Sequence, residues 1–184
     1  MEDVLSQANE KMTKTIAATK REMATIRTGR ANPALVENIK VDYYGSPTPL
    51  NQISTISVPE ARVLAIQPWD RQAVGEIQKA IQKSDLGINP SSDGTTIRLV
   101  IPPLTQDRRQ ELVKVVKKRV EEGRVALRNI RRDLVEELRS AQKRKEISED
   151  EEKRMADQLQ KVTDSYVSQV EHIGHEKETE VMEI

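Results

Sequence analysis

Between residues 105 and 145, apolar side chains recur at helical spacing: Leu112, Val116, Val120, Leu127, Ile130, Leu134, Leu138 and Ala141. Positions three and four apart share one face of an α-helix. At about 1.5 Å per residue, an unbroken helix here runs about 60 Å. No small rounded core can cover a stripe of that length, so it needs helical partners of similar reach. Two other segments supply them. Residues 3–28 carry Leu5, Ala8, Met12, Ile16, Met23 and Ile26, with Thr19 filling the gap. Residues after 148 carry Met155, Leu159, Val162, Tyr166, Val170, Ile173 and Val181, interrupted by Lys177. Three such stripes cover one another in a three-helix bundle. The end signals agree. Gly29 and Pro33 stop the first helix. Thr105 caps the second, with Asp107 in its first turn. Ser148 with Glu151 forms a capping box before the third. Gly123 costs roughly 1 kcal/mol relative to Ala inside a helix, a cost that close packing would offset.

Residues 34–104 have another character. Ile39, Val41 and Tyr43 alternate as on a strand, and "GSPTP" at 45–49 reads as a turn. Ile56–Val58 and Val63–Ile66 read as short strands. Residues 71–83 carry Val74, Ile77 and Ile81 at helical spacing, with Gly87 as a stop. "NPSSDGTT" is turn-rich, and "TIRLVI" is a strand that ends at Pro102 and Pro103. This is a small domain of strands and one helix, placed between the first long helix and its two partners. The expected class is α+β, with residues 1–30 and 105–184 forming the bundle and 31–104 inserted. The two connections, Arg30-Ala31-Asn32-Pro33 and the segment ending Pro102-Pro103-Leu104, are short and proline-stiffened. They read as a two-connection hinge.

Composition narrows the function. Aromatic residues make up 2% of the chain: Tyr43, Tyr44, Trp69 and Tyr166. The cores must therefore be mainly aliphatic. Without cysteine there is no disulfide scaffold, thiol catalysis or cysteine zinc site. The opening "MEDVLSQANEK" is acidic and polar, unlike a signal or transit segment. No apolar run approaches the roughly 18 residues of a membrane span, so a cytoplasmic protein without a membrane role is expected. No phosphate-binding glycine loop, nucleophile elbow or dinucleotide fingerprint is present. His172 and His175 read as a solvated helix face rather than a metal site. Neither enzyme activity nor a cofactor is expected.

The net charge is zero, but it is unevenly spread. Residues 105–145 hold fourteen Lys and Arg against seven Asp and Glu, while residues 146–184 hold four against twelve. Lys117, Arg124, Arg128 and Arg131 fall within an arc of about 60° at 100° per residue, flanking the apolar stripe. Glu121 can pair with Arg124, and Glu136 with Arg132. Arg128 and Arg131 have no acid three or four residues away. Like charges at such spacing destabilise a helix by a few tenths of a kcal/mol per pair. Two readings account for them. Either the acidic last helix or water neutralises these charges, or the stripe binds phosphates and releases their counterions. A helical scaffold or chaperone-like protein with no RNA role fits the first; a small enzyme with a site within 34–104 would need a polar constellation that is not visible.

Several long segments in fixed order resemble the bacterial and organellar ribosome recycling factor family: "IRTGRANPALV" at 26–36, "VDYYGSPTPLNQI" at 41–53, "SDLGINPSSDGTTIRLVIPPLT" at 84–105, "RVALRNIRRD" at 124–133 and "KEISEDEE" at 145–152. The resemblance implies a long three-helix bundle with an inserted three-layer β/α/β domain, L-shaped overall. It implies a monomer that binds the ribosome after termination. With elongation factor G and GTP, such a factor separates the subunits and releases mRNA and tRNA. It also implies that basic residues of the bundle contact large-subunit ribosomal RNA. That role falls on Arg128 and Arg131, with Arg109 and Arg124 beside them and Arg27 and Arg30 as further candidates. The inserted domain would face elongation factor G and move relative to the bundle.

Overall fold

The computed structural model describes residues 2–183. It contains three long helices, α1 (Glu2–Ala24), α3 (Gln106–Lys143) and α4 (Glu149–Met182). Between α1 and α3 lie β1 (Lys40–Tyr43), β2 (Ser46–Pro49), β3 (Ser54–Glu60), β4 (Val63–Pro68), α2 (Val74–Lys83), β5 (Ser91–Ser92) and β6 (Ile97–Val100). The chain divides into two compact units. One takes α1 and residues 110–182; the other takes residues 25–109 and Glu183.

The helical unit buries most of the expected stripes, while Leu5, Ile130, Ala141, Val162, Tyr166 and Ile173 are only partly buried. Ala8, Met12, Ile16, Thr19 and Met23 of α1 are buried, as are Leu112, Val116, Val120, Leu127, Leu134 and Leu138 of α3. From α4 come Met155, Leu159, Thr163, Val170, Gly174, Lys177 and Val181. Polar members of the stripe are satisfied locally: Thr19 Oγ1 donates to Thr15 O at 3.0 Å and Thr163 Oγ1 to Leu159 O at 2.7 Å. Lys177 does not break the stripe. It is buried within it, with its ammonium 3.3 Å from Glu180 Oε2. Two glycines set the helix spacing. A Cβ at Gly123 would lie 3.1 Å from Val170 Cγ1 and 3.3 Å from Thr19 Oγ1. At Gly174 it would lie 2.3 Å from Val120 Cγ2, so α3 and α4 approach through reciprocal glycine–valine contacts.

Helix ends follow local chemistry. Arg108 N donates to Thr105 Oγ1 at 3.2 Å, the expected cap of α3. Ser148 N donates to Glu151 Oε2 at 2.9 Å and Glu151 N to Ser148 Oγ at 3.2 Å, closing the capping box. Ser148 N and Ser148 Oγ, the latter at 3.0 Å, both donate to Glu151 Oε2 and hold its carboxyl below its ordinary pKa. α1 stops at Ala24, before the expected Gly29. Thr25, Ile26 and Thr28 follow, and such β-branched residues lose rotamer freedom in a helix.

In the inserted unit, β1 and β2 form a hairpin, and the other strands form an antiparallel sheet in the order β3-β4-β6-β5. Leu64 and Ile66 of β4, Ile97 and Leu99 of β6, Ile77 and Ile81 of α2, and Val41 of β1 share one core. The helix is thereby packed with residues of both sheets, giving the β/α/β layering. The segment expected as a turn at 45–49 is instead mostly strand β2. The turn is Tyr44-Gly45, both with positive φ (51° and 83°), as a two-residue hairpin loop requires. Gly45 N donates to Asp42 Oδ1 at 2.9 Å. Pro47 and Pro49 pair opposite Asp42 and Lys40. They are two residues apart, so their nitrogens share one side of the strand, the edge that needs no donor. The turn-rich "NPSSDGTT" likewise contains β5, paired with β6.

The expected hinge residues are bonded into this unit. Ala31 N donates to Ala61 O at 2.8 Å and Ile101 N to Arg62 O at 2.7 Å. Asn32 Oδ1 accepts from Ala34 N at 3.0 Å, capping a 3-10 turn that begins at Pro33. Pro102, Pro103 and Leu104 run without regular structure to Thr105. Three of the four aromatic residues lie here. Tyr44 and Trp69 are exposed; Tyr44 donates to Asp70 Oδ2 at 2.6 Å and Trp69 Nε1 to Thr55 Oγ1 at 3.0 Å.

Candidate nucleic-acid interface

The face is built on α3. Leu127 and Leu134 are buried, which turns the arginines between them away from the bundle core. Their partners differ. Arg124 is spent on acids: Nη1 lies 3.1 Å from Glu121 Oε2 and Nη2 3.1 Å from Glu171 Oε1 on α4. Its Nε is buried and has no hydrogen-bond partner. Arg128 is 60% exposed in its side chain, and Glu121 Oε1 lies 3.7 Å from its Nη1. Arg131 Nη1 donates to Gln160 Oε1 on α4 at 2.8 Å.

The expectation that Arg128 and Arg131 lack partners is therefore corrected in part. Glu121 precedes Arg128 by seven residues. Two helical turns nearly restore the angular position, and two long side chains bridge the gap. The contact is loose, because Glu121 is closer to Arg124. Arg131 has a partner, but it is a neutral amide, which leaves the guanidinium charge uncompensated. The pairing expected between Arg132 and Glu136 is not formed; Arg132 Nε lies 3.5 Å from Asp133 Oδ1, and Glu136 pairs with Arg139 at 3.1 Å.

The other candidates sit differently. Arg109 is 8% exposed; its Nε donates to Leu104 O at 3.4 Å and its Nη1 to Glu183 O at 3.0 Å. Arg109, one of the RNA contacts that the resemblance implies, is here a nearly buried guanidinium engaged with main-chain carbonyls. Arg30 pairs with the Glu183 carboxylate, and Arg27 Nη1 donates to Asp85 O at 3.1 Å. A surface groove lined by Lys117, Val120, Glu121, Arg124, Glu171 and His175 runs beside the arginines. Its acids and bases are mixed, so it has no strong preference for an anion. His172 Nε2 lies 3.2 Å from Glu176 Oε1. Among the described residues, no group of three or more His, Cys, Asp or Glu is placed to hold a metal, and no helix is long and apolar enough to cross a membrane.

Residues 19–182 match the family model for ribosome recycling factor. The chain belongs to the ribosome recycling factor family. It is 56% identical to the ribosome-recycling factor of Syntrophomonas wolfei over 184 residues, which is the whole of both chains. It is 54% identical to that of Bacillus subtilis over 182 residues, covering 99% of this chain and 98% of the relative. The fold is similar to a solution structure of a ribosome recycling factor, with a TM-score of 0.78 and 45% identity, covering 100% of this chain and 97% of that one. A second similar structure has a TM-score of 0.69 and 43% identity, covering 99% and 98%. It models the T. thermophilus ribosome recycling factor and the E. coli elongation factor G bound to the E. coli post-termination complex. The family's work is ribosome recycling, so this chain is a translation factor that binds ribosomes.

Gln160 and Gly174 shape this face, and neither stands out in the sequence. Gln160 is one of many polar residues on α4. Gly174 follows Ile173 on the helix, and only its distance to Val120 shows its use.

Proposed function

We propose that this factor binds the post-termination ribosome through the α3 face and, with elongation factor G and GTP, separates the subunits so that mRNA and tRNA are released. The observation that carries the RNA contact is the state of two neighbouring guanidinium groups. Arg128 is exposed and only loosely paired, and Arg131 is held by an uncharged acceptor. Both keep most of their charge for a phosphate. Large-subunit ribosomal RNA is the partner this face suits. No aromatic side chain lies among these arginines, so backbone contact is favoured over base stacking.

Arg124 is a weaker ligand, because two carboxylates must release it. Arg109 would have to give up Leu104 O and Glu183 O. The inserted unit is read as the part facing elongation factor G. Its movement is expected outside the Ala31–Ala61 and Ile101–Arg62 bonds, which tie those connections to the insert. The protein acts as a monomer in the compartment of translating ribosomes. The competing scaffold reading is favoured by ion pairs that join helices: Arg124–Glu171 between α3 and α4, and Arg119–Glu22, at 3.8 Å, between α3 and α1.

Co-sedimentation with ribosomes across a salt series tests this. Arg128→Ala and Arg131→Ala should each weaken binding and lower the salt slope by about one. Subunit splitting should fall in step. Unchanged slopes in both folded variants would make the stripe a solvated face and return the scaffold reading.

A further inference from the structure

Arg131 differs from its neighbours in the kind of acceptor it has. Arg124, Arg119, Arg139 and Arg144 all meet carboxylates. Arg131 meets Gln160 Oε1 at 2.8 Å. The same amide donates through Nε2 to Asp164 Oδ1 at 2.8 Å, one turn further along α4. A glutamine amide can face either way, and its hydrogen-bond partners decide the direction. Asp164 accepts only, so it holds the NH2 end and turns the carbonyl end toward Arg131. Reversed, the amide would set donor against donor. Arg131 and Asp164 form no ion pair with each other; the acid orients the amide without neutralising the arginine.

We propose that Gln160, backed by Asp164, is a positioning residue for Arg131. This rests on the reading of Arg131 as a phosphate ligand. A free arginine on a helix surface must be ordered when it binds, at a cost of about 0.5–1.5 kcal/mol for a long side chain. Gln160 orders it beforehand through one N–H and leaves the charge and the other donors available. A carboxylate would hold it more tightly but would compete with the phosphate.

The test uses full-length protein and ribosomes, with binding measured by co-sedimentation across a salt series. Gln160→Met and Gln160→Glu are compared alone and on Arg131→Ala. Gln160→Met should weaken binding by about twofold to twelvefold, as the ordering cost converts, with the slope unchanged. On Arg131→Ala it should add nothing. Gln160→Glu should lower the slope by about one with Arg131 present, because the new carboxylate takes the charge, and leave it unchanged when Arg131 is absent. Equal losses in both backgrounds would make Gln160 a structural contact and overturn the proposal. No loss from Gln160→Met, with Arg131→Ala still weak, would overturn the positioning role alone. Wild-type binding by Arg131→Ala would overturn both the phosphate reading and this proposal.

Discussion

In the inserted unit, Leu64, Ile66, Ile77, Ile81, Ile97 and Leu99 are fully buried, and large side chains fill the space between helix and sheets. In the bundle, the helix contacts include Gly123, Gly174, Thr19, Thr163 and Lys177. The insert is closed throughout by volume that is present; the bundle also buries Met12, Leu127, Leu134 and Leu159, but at Gly123 and Gly174 its helices approach through volume that is left out. Enlarging a helix glycine should therefore injure the bundle and spare the insert.

The sharpest break of this contrast is Ile77→Ala. It should cost about 2–5 kcal/mol through lost burial and a residual cavity, seen as a lower denaturant midpoint. A cost below 1 kcal/mol would mean that the insert core collapses around the gap. Next is Gly174→Ala. Alanine favours the helix by roughly 1 kcal/mol, but its methyl would meet Val120 Cγ2 at 2.3 Å. Overpacking costs about 1–3 kcal/mol, so we expect net destabilisation, relieved by Val120→Ala. Gly75→Ala is the control in the insert. Nothing lies within 4 Å of the added Cβ, so up to about 1 kcal/mol of stabilisation is expected. Matching signs at the two glycines would remove the comparison.

Ser148→Ala should cost about 1 kcal/mol through loss of the α4 cap. The partner Glu151 has a folded pKa below its ordinary 4.5. Its contribution is complete above that ordinary value and is lost as pH falls through the depressed one. The gap between wild type and Ser148→Ala should therefore narrow in acid; a gap constant with pH would remove Glu151 from the cap. Smallest in stability is Arg128→Ala, expected within about 0.5 kcal/mol of wild type by thermal melting. A sharp drop would show that its contact with Glu121 matters to the stability of α3.

The three long helices were legible because their stripes keep one period over many turns, and because Thr105 and Ser148–Glu151 are local devices within a single turn. Strand β2 was not. Pro47 and Pro49 signal a turn when read along the chain, and only pairing with β1 shows them on an unpaired edge. The arginine stripe was visible as an arc on α3, but its chemistry was not. Which charge is spent depends on Glu171 and Gln160, far along the chain and across the helix interface, and on Glu121 two turns away. The closeness of Gly174 to Val120 is likewise a property of the packed pair.

Trp69 is the chain's single tryptophan, and it stands 68% exposed on the inserted unit. Light absorbed by indole alone therefore reports on that unit, and the bundle stays dark. An indole already in water gains little further solvent when the chain unfolds, so its emission colour is a poor thermometer. It is a good coverage gauge. Iodide should quench it readily in the free protein, and any partner that seats over the β3–β4 strands beside Thr55 should shield it, with no dye attached.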